Sequence, residues 1–158
     1  MNTRLRIIMA DLSKTGHRNA YVSLIDAYKS GPTGDGKPLG GSAKIRLIKA
    51  LRKNPLARVY FALYRESIIG CATCFSGFST FHAKKLVNIH DLFIEKDHRG
   101  KGAARTLLAY IESKAKSEGC CKVTLEALEN NKAALCLYRG LGFGEGQPTA
   151  YFLTKPIK

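Results

Sequence analysis

Tryptophan is absent from this chain of 158 residues, and acidic residues are scarce. Twelve Asp and Glu stand against 26 Lys and Arg, a formal net charge of +14. The missing indole leaves seven Phe and seven Tyr to supply aromatic bulk. The shortage of acid favours an anionic partner: a nucleotide-like cofactor, an acidic substrate or nucleic acid. The basic residues are spread along the whole chain, in runs no longer than pairs such as Lys84–Lys85. Plain solvation accounts for a positive surface of that kind.

Long apolar runs are also missing. No segment approaches the ~18 apolar residues of a membrane span. Near the N-terminus a short apolar run, Ile7–Ala10, stops at Asp11 without the h-region and cleavage site of a signal peptide. A cytoplasmic protein without a membrane partner is expected. Cysteine is sparse and odd in number: Cys71, Cys74, Cys120, Cys121 and Cys136. That argues against a disulfide framework. Cys71 and Cys74 form a C-x-x-C, a spacing used for zinc and for redox chemistry. They fall in a strand-like run, where positions three apart face opposite sides, and no second C-x-x-C follows. Small buried hydrophobes are the expectation, with no metal.

The length suits one domain, residues 1–158, with a single sizeable core. Hydrophobic residues at 45% and charged residues at 24% are ordinary for a globular protein. The chain is organised around residues 86–104, LVNIHDLFIEKDHRGKGAA. This stretch reads as a buried strand, a short charged turn and a helix entry bearing glycines. The first turn of a helix leaves about four amide donors unpaired and carries partial positive charge, which suits a phosphorylated ligand. Gly100 and Gly102 allow close approach to the backbone. Arg99 and Lys101 add positive charge.

The rest of the chain falls into elements around it. Residues 4–9 predict a strand. A helix capped by Asp11 or Ser13 runs to about 29, with Ala20, Leu24, Ala27 and Tyr28 inward. Residues 30–42 form a glycine- and proline-rich loop, either a flexible connection or a lid. Residues 43–53 make a basic amphipathic helix with Ile45, Leu47, Ile48 and Leu51 inward. Strands 57–64 and 67–78 form an antiparallel hairpin around Glu66. Phe75, Phe78 and Phe81 pack in the core or at its rim, or wall an acceptor pocket. After strand 86–94 come a helix from 101 to 118 ended by Gly119, and a strand over 121–127. That βαβ unit makes the two strands parallel. Asn130 or Asn131 caps a short helix with Ala134, Leu137 and Tyr138, and residues 149–154 form a last strand.

R-x-x-G-x-A at Arg99–Ala104, then a parallel strand, then N-x-x-A-x-x-x-Y-x-x-x-G-F from Asn131 to Phe143 resembles the GNAT superfamily of acyl-CoA-dependent N-acetyltransferases. NIHDLF and the preceding FSTF are similar to small bacterial members. The resemblance implies an α/β (α+β) fold, with a mixed, mostly antiparallel sheet flanked by helices. It implies an acetyltransferase that uses acetyl-CoA as co-substrate and passes the acetyl group directly to an amine. The strand at Leu92, Phe93 and Ile94 would splay from its neighbour and pair with the pantetheine arm. The backbone of Arg99, Gly100, Lys101, Gly102, Ala103 and Ala104 would hold the pyrophosphate. Asn131 would bond the cofactor arm, cap its helix or do both. Tyr138 matches the tyrosine that protonates the leaving thiolate, a step within reach of a phenol.

The general base stays open. Family members often carry a Glu on the strand matching 86–94, and this chain has none there. By strand alternation Asn88 and His90 share a face and Asp91 points away. His90 can take a proton near neutral pH. Glu126 on the partner strand and water are the other sources. A surface at +14 would repel polyamines or a lysine-rich tail, so a small neutral or acidic amine is the expected acceptor. A homodimer is left open. A non-catalytic acyl-CoA sensor would keep the cofactor turn without turnover. A nucleic-acid-binding module would account for the charge, but no clustered basic stripe with interleaved aromatics supports it.

Overall fold

A computed structural model describes residues 5–144 and 152–157. The chain divides into two units, Met1–Glu126 and Ala127–Lys158. The first is built on a five-stranded sheet in the order β1-β2-β3-β4-β5: Leu5–Met9, Ala57–Tyr64, Ser67–Ser79, Lys84–Ile94 and Val123–Leu125. The first four strands pair antiparallel in sequence order. Short turns reverse the chain from β2 to β3 and from β3 to β4, whereas two helices lie between β1 and β2. β5 pairs parallel to β4, as the intervening helix α3 (Ala103–Ser117) requires.

Alternation along the strands gives the sheet two apolar faces. One carries Val59, Phe61, Leu63, Cys71 and Phe93, packed on Tyr21 and Leu24 of α1 (Thr15–Ser30) and Leu51 of α2 (Gly41–Lys53). On the other, Tyr60, Cys74 and Val87 line a small gap with Ile111 and Ala115 of α3. Cys71 and Cys74 are therefore buried on opposite faces, the arrangement expected for residues three apart on a strand. Among the described residues no cluster of His, Cys, Asp or Glu could hold a metal ion. No helix among them is long and apolar enough to cross a membrane.

Several local expectations need correction. Neither Asp11 nor Ser13 caps α1, whose N-cap is Lys14 with no side-chain bond. The Asp11 carboxylate is spent one turn earlier, accepting from the Ser13 amide at 2.9 Å and hydroxyl at 2.6 Å. Ala27 is exposed and Tyr21 takes the inward place, its hydroxyl 2.8 Å from Thr73 Oγ1. Ile45 is 72% exposed, because the inward stripe of α2 runs through Leu47, Ile48 and Leu51. Phe78 and Phe81 are 62% and 99% exposed. They sit at a β3–β4 hairpin tip that outruns β2, whose pairing stops at Phe75. Of the last expected strand, 149–151 lie outside the described residues and 152–154 carry no regular secondary structure.

Burial pushes the Cys74 thiol up from its usual 9.0 to about 12, and raises Cys71, Tyr21, Tyr28 and Tyr60 in the same direction. A group raised on folding stabilises the fold fully below its unfolded pKa and loses that contribution as pH climbs toward the folded value. The urea midpoint is therefore predicted to fall between about pH 9 and about pH 12, and Cys74→Ala to make that fall shallower. Native protein should be alkylated at exposed Cys136 well before Cys71 or Cys74.

Candidate active site

The site begins where β5 stops. β5 pairs with β4 only at Val87↔Val123, Asn88↔Thr124 and Ile89↔Leu125. Beyond that, no strand among the described residues pairs with His90–Ile94 on its β5 side, so Leu92, Phe93 and Ile94 border a free edge, with the Ile94 carbonyl taken by Arg99. The middle pair is braced by Asn88 Nδ2 donating to Thr124 Oγ1 at 3.2 Å. Glu126 lies just past the end of β5 rather than within a strand, since the strand is only three residues long.

A bulge shapes the middle of β4. Its register with β3 steps from Thr73↔Asp91 to Cys74↔Ile89, leaving His90 as the extra residue. That insertion overturns the simple alternation. Asp91 does not point away from Asn88. It falls on the α1 face, opposite Thr73, where its charge helps burial to raise Tyr21, Tyr28 and Cys71. Asn88 is opposite Phe75, which packs on that same face. His90 is exposed, with its ring edge-on to Phe75 at 5.7 Å.

At the end of β4 the chain makes a short 3-10 turn, Lys96–His98, and enters α3. Gly100 and Gly102 have φ of +71° and +87°, values that L side chains adopt only under strain. Around both, the space a Cβ would need is open. The amides of Gly100, Lys101, Gly102, Ala103 and Ala104 donate to no backbone carbonyl among the described residues. They form a run of unpaired donors at the positive end of a helix, suited to an anion. Arg99 works differently from a free cation. Its Nε donates to the Ile94 carbonyl at 2.8 Å and its guanidinium lies 5.4 Å over the Phe93 ring. Lys101 Nζ likewise donates to the Asp97 carbonyl at 2.8 Å. Arg99 ties the cradle to the strand end and Lys101 ties it to the 3-10 turn, and both keep positive charge beside it. Sequence reasoning missed Gly70, opposite Ile94, where an added Cβ would meet the Phe93 carbonyl at 2.6 Å. A glycine inside a strand was the available signal.

The second unit carries the other two predicted residues. Asn131 is the N-cap of α4 (Lys132–Arg139), its Oδ1 accepting from the Ala134 amide at 3.2 Å. Asn130 does not take that place. Past α4, Gly142 adopts φ +87°, and the Phe143 amide donates to the Tyr138 carbonyl at 3.0 Å. This left-handed closure brings the Phe143 ring to 5.9 Å from Tyr138, which is buried. The N-x-x-A-x-x-x-Y-x-x-x-G-F spacing is thus a capped helix with a glycine stop, and it fixes the tyrosine ring.

An acyl-carrier site needs a strand edge for an amide-bearing arm and a donor cradle for its phosphates, and the first unit has both in sequence. The pattern of the Acetyltransferase (GNAT) family matches residues 22–143. The chain belongs to that family, whose members are acetyl-CoA-dependent N-acetyltransferases. It is 26% identical over 147 residues to the uncharacterized N-acetyltransferase YhfO of Bacillus subtilis (strain 168), covering 92% of this chain and 97% of that one. It is 25% identical over 75 residues to the thialysine N-epsilon-acetyltransferase of Bos taurus, covering 48% of this chain. The match spans only 44% of the length of that bovine protein. The fold matches the crystal structure of a probable acetyltransferase with a TM-score of 0.82, at 23% identity, over 97% of this chain and 98% of the other.

Proposed function

We propose that residues 1–158 act as one cytoplasmic N-acetyltransferase domain that moves the acetyl group of acetyl-CoA directly to a primary amine of a small acceptor. The observation that carries this reading is the free β4 edge at His90–Ile94, which leads through one short turn into the amide cradle beginning at Gly100. The backbone of Leu92, Phe93 and Ile94 holds the pantetheine arm. The amides of the Arg99–Ala104 turn hold the diphosphate, with Arg99 and Lys101 steadying it. Asn131 spends its oxygen on the α4 cap, and its amide hydrogens remain for the cofactor arm.

Chemistry then needs two proton movements. The amine loses a proton, attacks the thioester carbonyl, and the carbon–sulfur bond breaks to leave an amide and a thiolate. Tyr138 donates a proton to that thiolate. His90 takes the proton from the amine, since the bulge carries it outward beside Phe75 instead of into the sheet. Asp91 faces Tyr21 and Thr73 and steadies the strand from behind. Glu126 and water are the competing bases.

The test is CoA formation, followed by chromatography, across a panel of primary amines. Small neutral or acidic amines are expected to exceed spermidine in kcat/KM by about tenfold, since a basic surface disfavours a polycation. His90→Gln should lower kcat by about a hundredfold, while Asp91→Asn and Glu126→Gln leave it within a few fold. Acetyl-CoA binding without turnover across the whole panel would instead support a sensor.

A further inference from the structure

Away from β4, a cleft of about 950 Å³ opens between α1 and α2. Both helices already bury a face on the sheet through Tyr21, Leu24 and Leu51. The cleft lies along their flanks. Its apolar part is Val22, Ile48 and Ile45, the last 72% exposed. Its polar rim holds Arg18, Lys44, Lys49, Arg52 and Lys53 against a single acid, Asp26. That acid is already engaged: Lys44 Nζ is 2.7 Å from one oxygen and the Leu39 amide 2.6 Å from the other. Arg18 donates to the Ser13 carbonyl and the Thr15 hydroxyl, neutral groups that leave its charge uncompensated. Lys49, Arg52 and Lys53 have no carboxylate partner among the described residues. Lys49, Arg52 and Lys53 are like charges within one helical turn, and an exposed isoleucine lies beside them; the helix dipole favours Arg52 and Lys53 in the last turn but leaves their outward charge unpaired.

We propose that this cleft docks an acidic amphipathic peptide helix of a partner protein. Charge complementarity selects the partner: carboxylates one helical turn apart face Lys49, Arg52 and Lys53. Aliphatic side chains between them fill the space over Val22, Ile45 and Ile48, the helix-in-groove mode of recognition. The cleft runs from Lys44 to Lys53 of α2, about 14 Å at 1.5 Å per residue, which accepts between two and three turns of helix. Nucleic acid is the poorer fit, because no aromatic ring lines the cleft to stack a base. A flat lipid surface cannot enter a concavity between two helices. The occupant is separate from the amine acceptor, and the inference stands without the proposed chemistry.

The experiment is fluorescence anisotropy with a labelled helical peptide of about 14 residues, leucines on one face and glutamates flanking them. Its lysine counterpart, a single-stranded oligonucleotide and phosphatidylserine vesicles serve as the other arms. The glutamate peptide should bind the whole protein, and about tenfold more weakly when salt rises from about 50 to about 500 mM. Lys49→Glu with Lys53→Glu should weaken it by about tenfold, and Ile45→Asp by a similar factor. Both variants should keep the wild-type melting temperature, which shows that they are folded. The lysine peptide should not bind. Failure of the glutamate peptide to bind, or binding indifferent to these substitutions, overturns the proposal. So does a preference for the oligonucleotide or the vesicles that the same substitutions abolish.

Discussion

Gly102→Glu abolishes the rise in melting temperature that acetyl-CoA gives the wild-type protein. At about 100 times its dissociation constant a ligand adds about 2.7 kcal/mol, roughly 5–10 °C for a domain of this size. The substitution acts twice. An L side chain at φ +87° carries about 1 kcal/mol of backbone strain. A carboxylate at the mouth of the amide cradle also opposes the charge the cradle is built to receive. Gly102→Ala separates the two, since it brings the strain without the charge. It should lower the melting temperature of the free protein and keep a reduced shift with acetyl-CoA. An undiminished shift in Gly102→Glu would place the phosphates elsewhere.

Tyr138→Phe should lower kcat by roughly a hundredfold or more, the usual scale for removing a general acid. Acetyl-CoA binding should be little changed. The substitution keeps the ring, so the packing against Phe143 and the glycine-closed turn after α4 persist. A hydroxyl lost from a buried position alters stability by about 1 kcal/mol, so the melting temperature checks that the fold survives. The informative readout is the split between kcat and binding. A purely structural tyrosine would change both together or neither. The loss should shrink with an acyl donor whose leaving group needs no proton, such as an acetyl ester of a strongly acidic thiol.

The parts of this fold that rest on local rules were legible in the residues. The change from strand to helix period across 86–104, with two glycines between, marked the cradle. The cap of the tyrosine helix was legible as Asn130 or Asn131, and Asn131 takes it. What was not legible depends on partners distant in sequence. The bulge at His90 is set by how β4 meets β3, and a shift of one residue moved Asp91 to the α1 face. Tyr21 owes its inward place to Thr73, 52 residues away. Arg99 looked like a free cation until the Ile94 carbonyl came within 2.8 Å. Ile45 fits an inward stripe by spacing, yet α2 turns that flank toward the cleft.

Amide hydrogen–deuterium exchange with and without saturating acetyl-CoA tests the central claim most directly. Bound cofactor should slow exchange along the free edge at 90–94 and in the cradle at 100–104, where donors that now face solvent acquire acceptors. The α1–α2 cleft should exchange at the same rate in both states. Slowing elsewhere, with 90–94 and 100–104 unchanged in protein that a melting shift shows to be liganded, would contradict the account.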